Sequence, residues 1–176
     1  MKKIKNYEEI ILEQNTLIIL DIDDTIIKFN SMGKTWWEDI LHDYEQHHDK
    51  QTAYQLAYDD WKAMINKDTP ELLDHELFMD LLDRIERTNS KLILLTARES
   101  TMKEITLKNL KDCGIHIDPN DVYHSSFKGE IVKDLYETYK ANQFIFVDDL
   151  LKNIEDVITT MKTYKIDCYL MEHENL

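Results

Sequence analysis

The chain has 176 residues, 43% of them hydrophobic, and a net charge of −14, which suits one domain with a sizeable core or a domain carrying an insertion. The acidic balance argues against a long nucleic-acid partner, because such binding needs Lys and Arg to neutralise phosphates. No stretch approaches the roughly 20 apolar residues of a membrane span. The opening MKKIKNYEEIILEQ lacks the apolar run and small-residue cleavage site of a signal peptide, so a cytoplasmic location is expected.

The first strand is expected at Leu17–Ile22, inside LIILDIDDTII. It places Asp21, Asp23 and Asp24 at its carboxyl end, where open α/β sheets form their ligand crevice. Unit charges about 4 Å apart repel by about 4 kcal/mol at an effective dielectric of 20, so such a cluster calls for a cation, protonation or outward splaying. Alone it also reads as a solvated acidic turn.

Next comes a connection of about seventy residues, far longer than one crossover helix requires. Residues Trp36–Asn66 hold no Gly or Pro and read as helix. A second helix is expected from Thr69 as N-cap and Pro70 as first helical residue, through Leu72, Leu73, Phe78, Leu81, Leu82 and Ile85, returning to pack on the sheet. Asn30, Lys34, Trp36 and Trp37 lie just after the acidic turn and can line its entrance, although paired tryptophans are also ordinary core. Tyr44, Tyr54, Tyr58 and Trp61 read as core of the insertion. His42, His47 and His48 lack the partners of a zinc set.

Further strands are expected at Lys91–Thr96, Val122–His124, Gln143–Val147 and Ile166–Leu170, their continuous apolar character suiting burial on both faces. Thr96 ends KLILLTAR. Its hydroxyl and the N–H of Ala97 can hold an oxyanion, or Thr96 can cap a helix. Arg98 can reach a substrate anion or form a salt bridge at a helix start. Lys128 opens a helix over Lys128–Lys140 and alone would read as a surface lysine. QFIFVDD ends in Asp148 and Asp149, a second acidic pair at the like end of a parallel strand. Together the clusters offer the hard oxygen ligands that Mg²⁺ prefers. Leu150, Leu151, Ile154, Val157, Ile158 and Met161 share one face of the following helix. Cys113 and Cys168 fit no metal spacing and are expected as free thiols.

Alternation of strands and helices predicts an α/β fold with a parallel sheet of about five strands and helices on both sides, a three-layer Rossmann-like architecture. The core is expected over residues 1–30 and 85–176, with a small helical insertion over 31–84 after strand 1.

The run Asp21-Ile22-Asp23-Asp24-Thr25, then Thr96, Lys128 and Asp148-Asp149, resembles the motifs of the haloacid dehalogenase (HAD) superfamily of phosphohydrolases. The TAR and VDDxxxN forms look like its acid-phosphatase and polynucleotide-phosphatase side. Gly33-x-x-Trp36-Trp37 and Lys128-Gly129-Glu130 also look like a poorly characterised HAD-like family of unknown function. The resemblance implies a Mg²⁺-dependent phosphomonoester hydrolase for a small phosphorylated substrate. Asp21 would be the nucleophile and Asp23 the acid/base. Asp21, the Asp23 carbonyl and Asp148 would hold the metal, with Asp149 beside it. Thr96 and Lys128 would bind phosphoryl oxygens. The substrate side would comprise Ala97, Arg98, Asn30, Trp36 and Trp37, and Thr25 through the turn behind the nucleophile. The insertion would be a cap. Two departures are Asn153, where many relatives carry an acid, and Lys133, a rival for Lys128. A phosphotransferase or mutase, or an idle binding module, are the alternatives.

Overall fold

The computed structural model describes residues 1–174 and 176. In chain order the strands are β1 (Lys2–Ile4), β2 (Thr16–Leu20), β3 (Ile27–Lys28), β4 (Glu71–Leu72), β5 (Lys91–Thr96), β6 (Val122–His124), β7 (Gln143–Asp148) and β8 (Asp167–Met171). The helices are α1 (Trp36–Glu45), α2 (Lys50–Lys67), α3 (His75–Arg87), α4 (Lys103–Asp112), α5 (Lys128–Thr138) and α6 (Leu151–Thr160).

β2 is buried at all five positions, as the central strand of a sheet covered on both faces must be. Its side chains alternate in direction, as the pleat requires. Ile18 and Leu20 join Phe78 of α3, Leu94 of β5 and Leu110 of α4 on one face. Leu17 and Ile19 join Val132 and Leu135 of α5 and Ile154 and Val157 of α6 on the other. The sheet has six strands in the order β1-β8-β7-β2-β5-β6, and every pairing in it is parallel. The chain leaves β2 toward β5 and later returns to its opposite side as β7. That reversal opens a crevice at the carboxyl end of β2.

The sheet thus has one strand more than expected. β1 pairs with β8 at the edge through Lys2↔Tyr169 to Ile4↔Met171. Its sequence KKI is short and polar, and only the open edge of β8 makes it a strand. The expected long helix over Trp36–Asn66 is two helices, because Asp49 accepts a hydrogen bond from Thr52 N (3.0 Å) and caps α2 as a new start. Thr69 and Pro70 do not start a helix. Glu71 and Leu72 pair antiparallel with Lys28 and Ile27, and α3 begins after Asp74, which has φ 49°. That long-range pairing outweighs a local capping signal. α3 does return to the core, burying Phe78, Leu81 and Ile85. Cys113 and Cys168 are free thiols. Among the described residues, no helix is long and apolar enough to cross a membrane.

α5 and α6 approach closely at Gly129. A Cβ there would lie 2.3 Å from Thr160 Oγ1 and 2.8 Å from the Asp156 carbonyl oxygen, and the Gly129 N–H donates to Asp156 Oδ2 at 2.7 Å. Gly129→Ala is therefore expected to destabilise the fold by about 1–3 kcal/mol through overpacking. A urea denaturation midpoint equal to wild type would show that the helices can separate at no cost.

Candidate active site

The site is built on the turn that leaves β2. The Asp21 N–H still donates to the Val147 carbonyl of β7 at 2.9 Å, which keeps the residue in register with the sheet. The Ile22 carbonyl then accepts from Ile26 N (2.9 Å) and Ile27 N (3.1 Å), while Asp24 N donates to the Ile27 carbonyl at 2.8 Å. Closing so tight a turn needs one left-handed residue, and Asp24 takes it with φ 58°. Aspartate tolerates that region better than most residues.

Thr25 fixes the turn from both ends. Its hydroxyl donates to Asp21 Oδ2 at 3.1 Å, and its carbonyl accepts from Tyr7 Oη (2.5 Å) and His173 Nε2 (2.8 Å). Thr25 is fully buried, and its hydroxyl also lies 3.5 Å from Asp149 Oδ1, so it sits against the acidic cluster.

Lys128 begins α5 and is wholly buried. Its Nζ lies 2.5 Å from Asp21 Oδ1 and 2.6 Å from Asp148 Oδ2. Burial alone would lower the lysine's proton affinity, but the carboxylates of Asp21 and Asp148 more than offset it and hold the ammonium above the ordinary lysine value. The rival Lys133 lies on the outer face of α5, 3.9 Å from Glu137. Asp148 ends β7 and is also wholly buried. It accepts from Leu150 N at 2.9 Å and from Asn153 Nδ2 at 3.1 Å on each oxygen. Asn153 thus donates to Asp148, something an acid at that position cannot do when ionised.

Asp21, Asp148 and Asp149 each present a carboxylate oxygen, and these oxygens lie within 4.8 Å of one another. Burial, and next the charge of Asp148, push Asp21 up to about 7. Burial, and next the charges of Asp21 and Asp148, push Asp149 up to about 9. One ammonium therefore does not neutralise the cluster. Hard oxygen donors in negative excess fit a divalent cation such as Mg²⁺, which prefers carboxylates.

Thr96 ends β5, buried, and its Oγ1 accepts from Arg98 N at 3.2 Å. It therefore closes the turn after the strand and does not cap a helix. Ala97 is exposed at the same edge. Arg98 forms a salt bridge, as one of its two readings had it, with Asp23 as the partner. Its side chain is 1% exposed and forks the Asp23 carboxylate, with Nε 2.8 Å from Oδ2 and Nη2 2.7 Å from Oδ1. Beside Asp23 runs a cleft of about 80 Å³ lined by Asp24, Phe29, Met32, Lys34, Trp36, Trp37 and Trp61. Asn30 is exposed and does not line it. A larger groove of about 410 Å³ lies near Ile10, Arg84 and Thr88. It contains none of the acidic cluster, so its size gives it no part in this chemistry. Trp61, Thr106 and Asn109, which meet Arg98, carry no motif that would single them out in sequence.

A family described as "Protein of unknown function (DUF2608)" matches residues 1–127. The chain belongs to this family. No curated protein matches it in sequence. Among solved structures, the class C acid phosphatase from Bacillus anthracis is 18% identical with a TM-score of 0.55, covering 92% of this chain and 67% of that one. The same enzyme with tungstate bound gives 19% identity, a TM-score of 0.55 and coverage of 92% and 68%. A haloacid dehalogenase-like family hydrolase from Streptococcus pneumoniae gives 14%, 0.54, 90% and 94%. The family member described here thus has a haloacid dehalogenase-like fold, in agreement with the motif resemblance.

The raised acids carry a pH consequence. A carboxyl whose folded value exceeds its unfolded one stabilises the fold below the unfolded value, and that stability is lost as pH rises through the folded value. For Asp21 and Asp149 the window runs from about pH 4 to about 7 and about 9 respectively. In EDTA the melting temperature is expected to fall as pH rises from 5 to 9, and Mg²⁺ is expected to restore most of it at the alkaline end. A flat profile in EDTA, or no response to Mg²⁺ at pH 8, would contradict this account of the cluster.

Proposed function

We propose that the chain is a Mg²⁺-dependent phosphomonoester hydrolase that works through an aspartyl-phosphate at Asp21. The observation that carries this reading is the buried Lys128 ammonium between Asp21 and Asp148, with Asp149 alongside, at the carboxyl end of the central strands. Lys128 and the Thr25 hydroxyl each hold one oxygen of Asp21, which fixes the carboxylate for attack.

In the first step an oxygen of Asp21 bonds to phosphorus and the bond to the leaving oxygen breaks, while Asp23 gives that oxygen a proton. In the second step Asp23 takes a proton from water, the water oxygen bonds to phosphorus, and the bond to Asp21 breaks, releasing inorganic phosphate. Lys128, the Thr96 hydroxyl and the N–H of Ala97 would bind phosphoryl oxygens. Mg²⁺ held by Asp21, Asp148 and the Asp23 carbonyl, with Asp149 beside it, would offset the charge on those oxygens.

The core would comprise residues 1–30 and 85–176, and residues 31–84 would act as a cap over the site. Its contribution is the tryptophan-lined cleft beside Asp23, where the leaving group of a small phosphorylated substrate would sit. The two free thiols support work in a reducing cytoplasm.

Purified protein is expected to release phosphate from an aryl phosphate with Mg²⁺ and to stop when EDTA is added. Asp21→Asn is expected to stay folded and to lose activity by at least about 10³-fold. Removing one member of a repelling cluster should also raise its melting temperature in EDTA at pH 8. Full activity in Asp21→Asn would exclude this nucleophile. Lys128→Met leaves two buried carboxylates without their cation, and is expected to lose both activity and about 3–5 kcal/mol of stability.

A further inference from the structure

We propose that Arg98 is a positioning residue that ties Asp23, the acid/base, to the helical insertion, an inference that rests on the phosphatase reading above. The guanidinium is held on four sides. Two of its N–H groups fork Asp23 at 2.8 Å and 2.7 Å. Nη1 donates to Asn109 Oδ1 at 2.9 Å and to Thr106 Oγ1 at 3.3 Å, both residues being buried on α4. The Trp61 ring of α2 covers its Cζ at 5.5 Å, a distance at which an aromatic face attracts a cation. Asn109 in turn donates from Nδ2 to the Ile65 carbonyl of α2 at 3.4 Å. Both branches therefore end on α2, four residues apart and so on one face of that helix.

His124 completes the cage without adding charge. The Thr106 hydroxyl donates to the Met102 carbonyl at 2.8 Å, so its oxygen accepts from Arg98 and from His124 Nε2, 3.2 Å away. That leaves His124 Nδ1 as a bare acceptor, buried and without a hydrogen-bond partner among the described residues. A neutral imidazole satisfies this arrangement, and burial, then Lys103, then Arg98 all favour it. Arg98 is thus a buried cation whose ion-pair partner is Asp23, on a rigid mount shared by core and insertion.

The pair sets where Asp23 points. Asp23 both lines the tryptophan-lined cleft and pairs with Arg98, so the fork would present the carboxyl group to the leaving oxygen from one fixed direction. When Asp23 gives up its proton, the charge that develops is met by a guanidinium already in place. A shift of α2 moves Trp61 and the Ile65 carbonyl together, and with them the mount of the acid/base.

Leaving groups distinguish this role from plain structural support. An alkyl phosphate needs protonation of its leaving oxygen, whereas dinitrophenyl phosphate does not. In Mg²⁺, Arg98→Met is expected to lower kcat about 100-fold on the alkyl ester, the range of a lost general acid, and less than about tenfold in the burst on dinitrophenyl phosphate. Arg98→Lys keeps the charge but not the fork and is expected to show the same selectivity. Asn109→Ala keeps Arg98 and removes a hold that lies outside the cleft, so it reports even where Arg98→Met fails to fold. It is expected to slow the alkyl ester several-fold more than the dinitrophenyl ester. Equal losses on both esters, or none, in folded Asn109→Ala and Arg98→Lys protein would overturn the role of Arg98 while leaving the phosphatase intact. Wild-type protein inert toward both esters would overturn the phosphatase reading and this role with it.

Discussion

A lysine ammonium buried between two carboxylates organises this molecule. Lys128 has no exposed surface, and it meets Asp21 and Asp148 at 2.5 Å and 2.6 Å. Removing three charges from water costs several kcal/mol each, and only close geometry with further hydrogen bonds offsets it. Those bonds are present: Thr25 serves Asp21, and Leu150 N and Asn153 serve Asp148. The charges come from three places in the chain, the ends of β2 and β7 and the start of α5. The interaction therefore joins the central sheet to a helix that covers it.

Such a contact tolerates little displacement, and the surrounding packing shows how it is held. Gly129 follows Lys128 and lets α5 come within van der Waals contact of α6, the helix that follows Asp148 and Asp149. On the opposite face, Tyr7 and His173 converge on the Thr25 carbonyl. These residues come from the two ends of the sequence, and β1 pairs with β8 close by. The turn that carries Asp21 and Asp23 is thus clamped by segments far from it in the chain, leaving its hydroxyl and carboxylates to the site. Such over-determination lets a left-handed aspartate persist at Asp24.

Asp23 is treated differently from Asp21. It stays partly open to a cleft, and its cation is an arginine rather than the shared lysine. Two neighbouring carboxylates thus differ in cation and in exposure, which supports the separate tasks proposed for them.

Much of the fold was legible in the chain itself. Apolar runs bounded by acids mark β2 and β7, and the lengths and alternation of segments give a parallel sheet with helices on both faces. Asp21, Asp23, Asp148 and Asp149 stand out because they directly follow those runs, so a local pattern places them at one end of the sheet. Three features were not legible, each for the same reason. KKI becomes a strand only where β8 leaves an open edge. Glu71 and Leu72 extend only because Ile27 and Lys28 pair with them. Arg98 faces Asp23 because α4 and α2 enclose its guanidinium. In each case one deciding partner (β8, the Ile27–Lys28 strand, or Asp23) lies tens of residues away, and no period or cap in the local sequence encodes it. The sequence determined which residue types reach the crevice, since adjacency to a buried strand is covalent. The tertiary structure decided which of them pair, since pairing depends on distances that only packing sets.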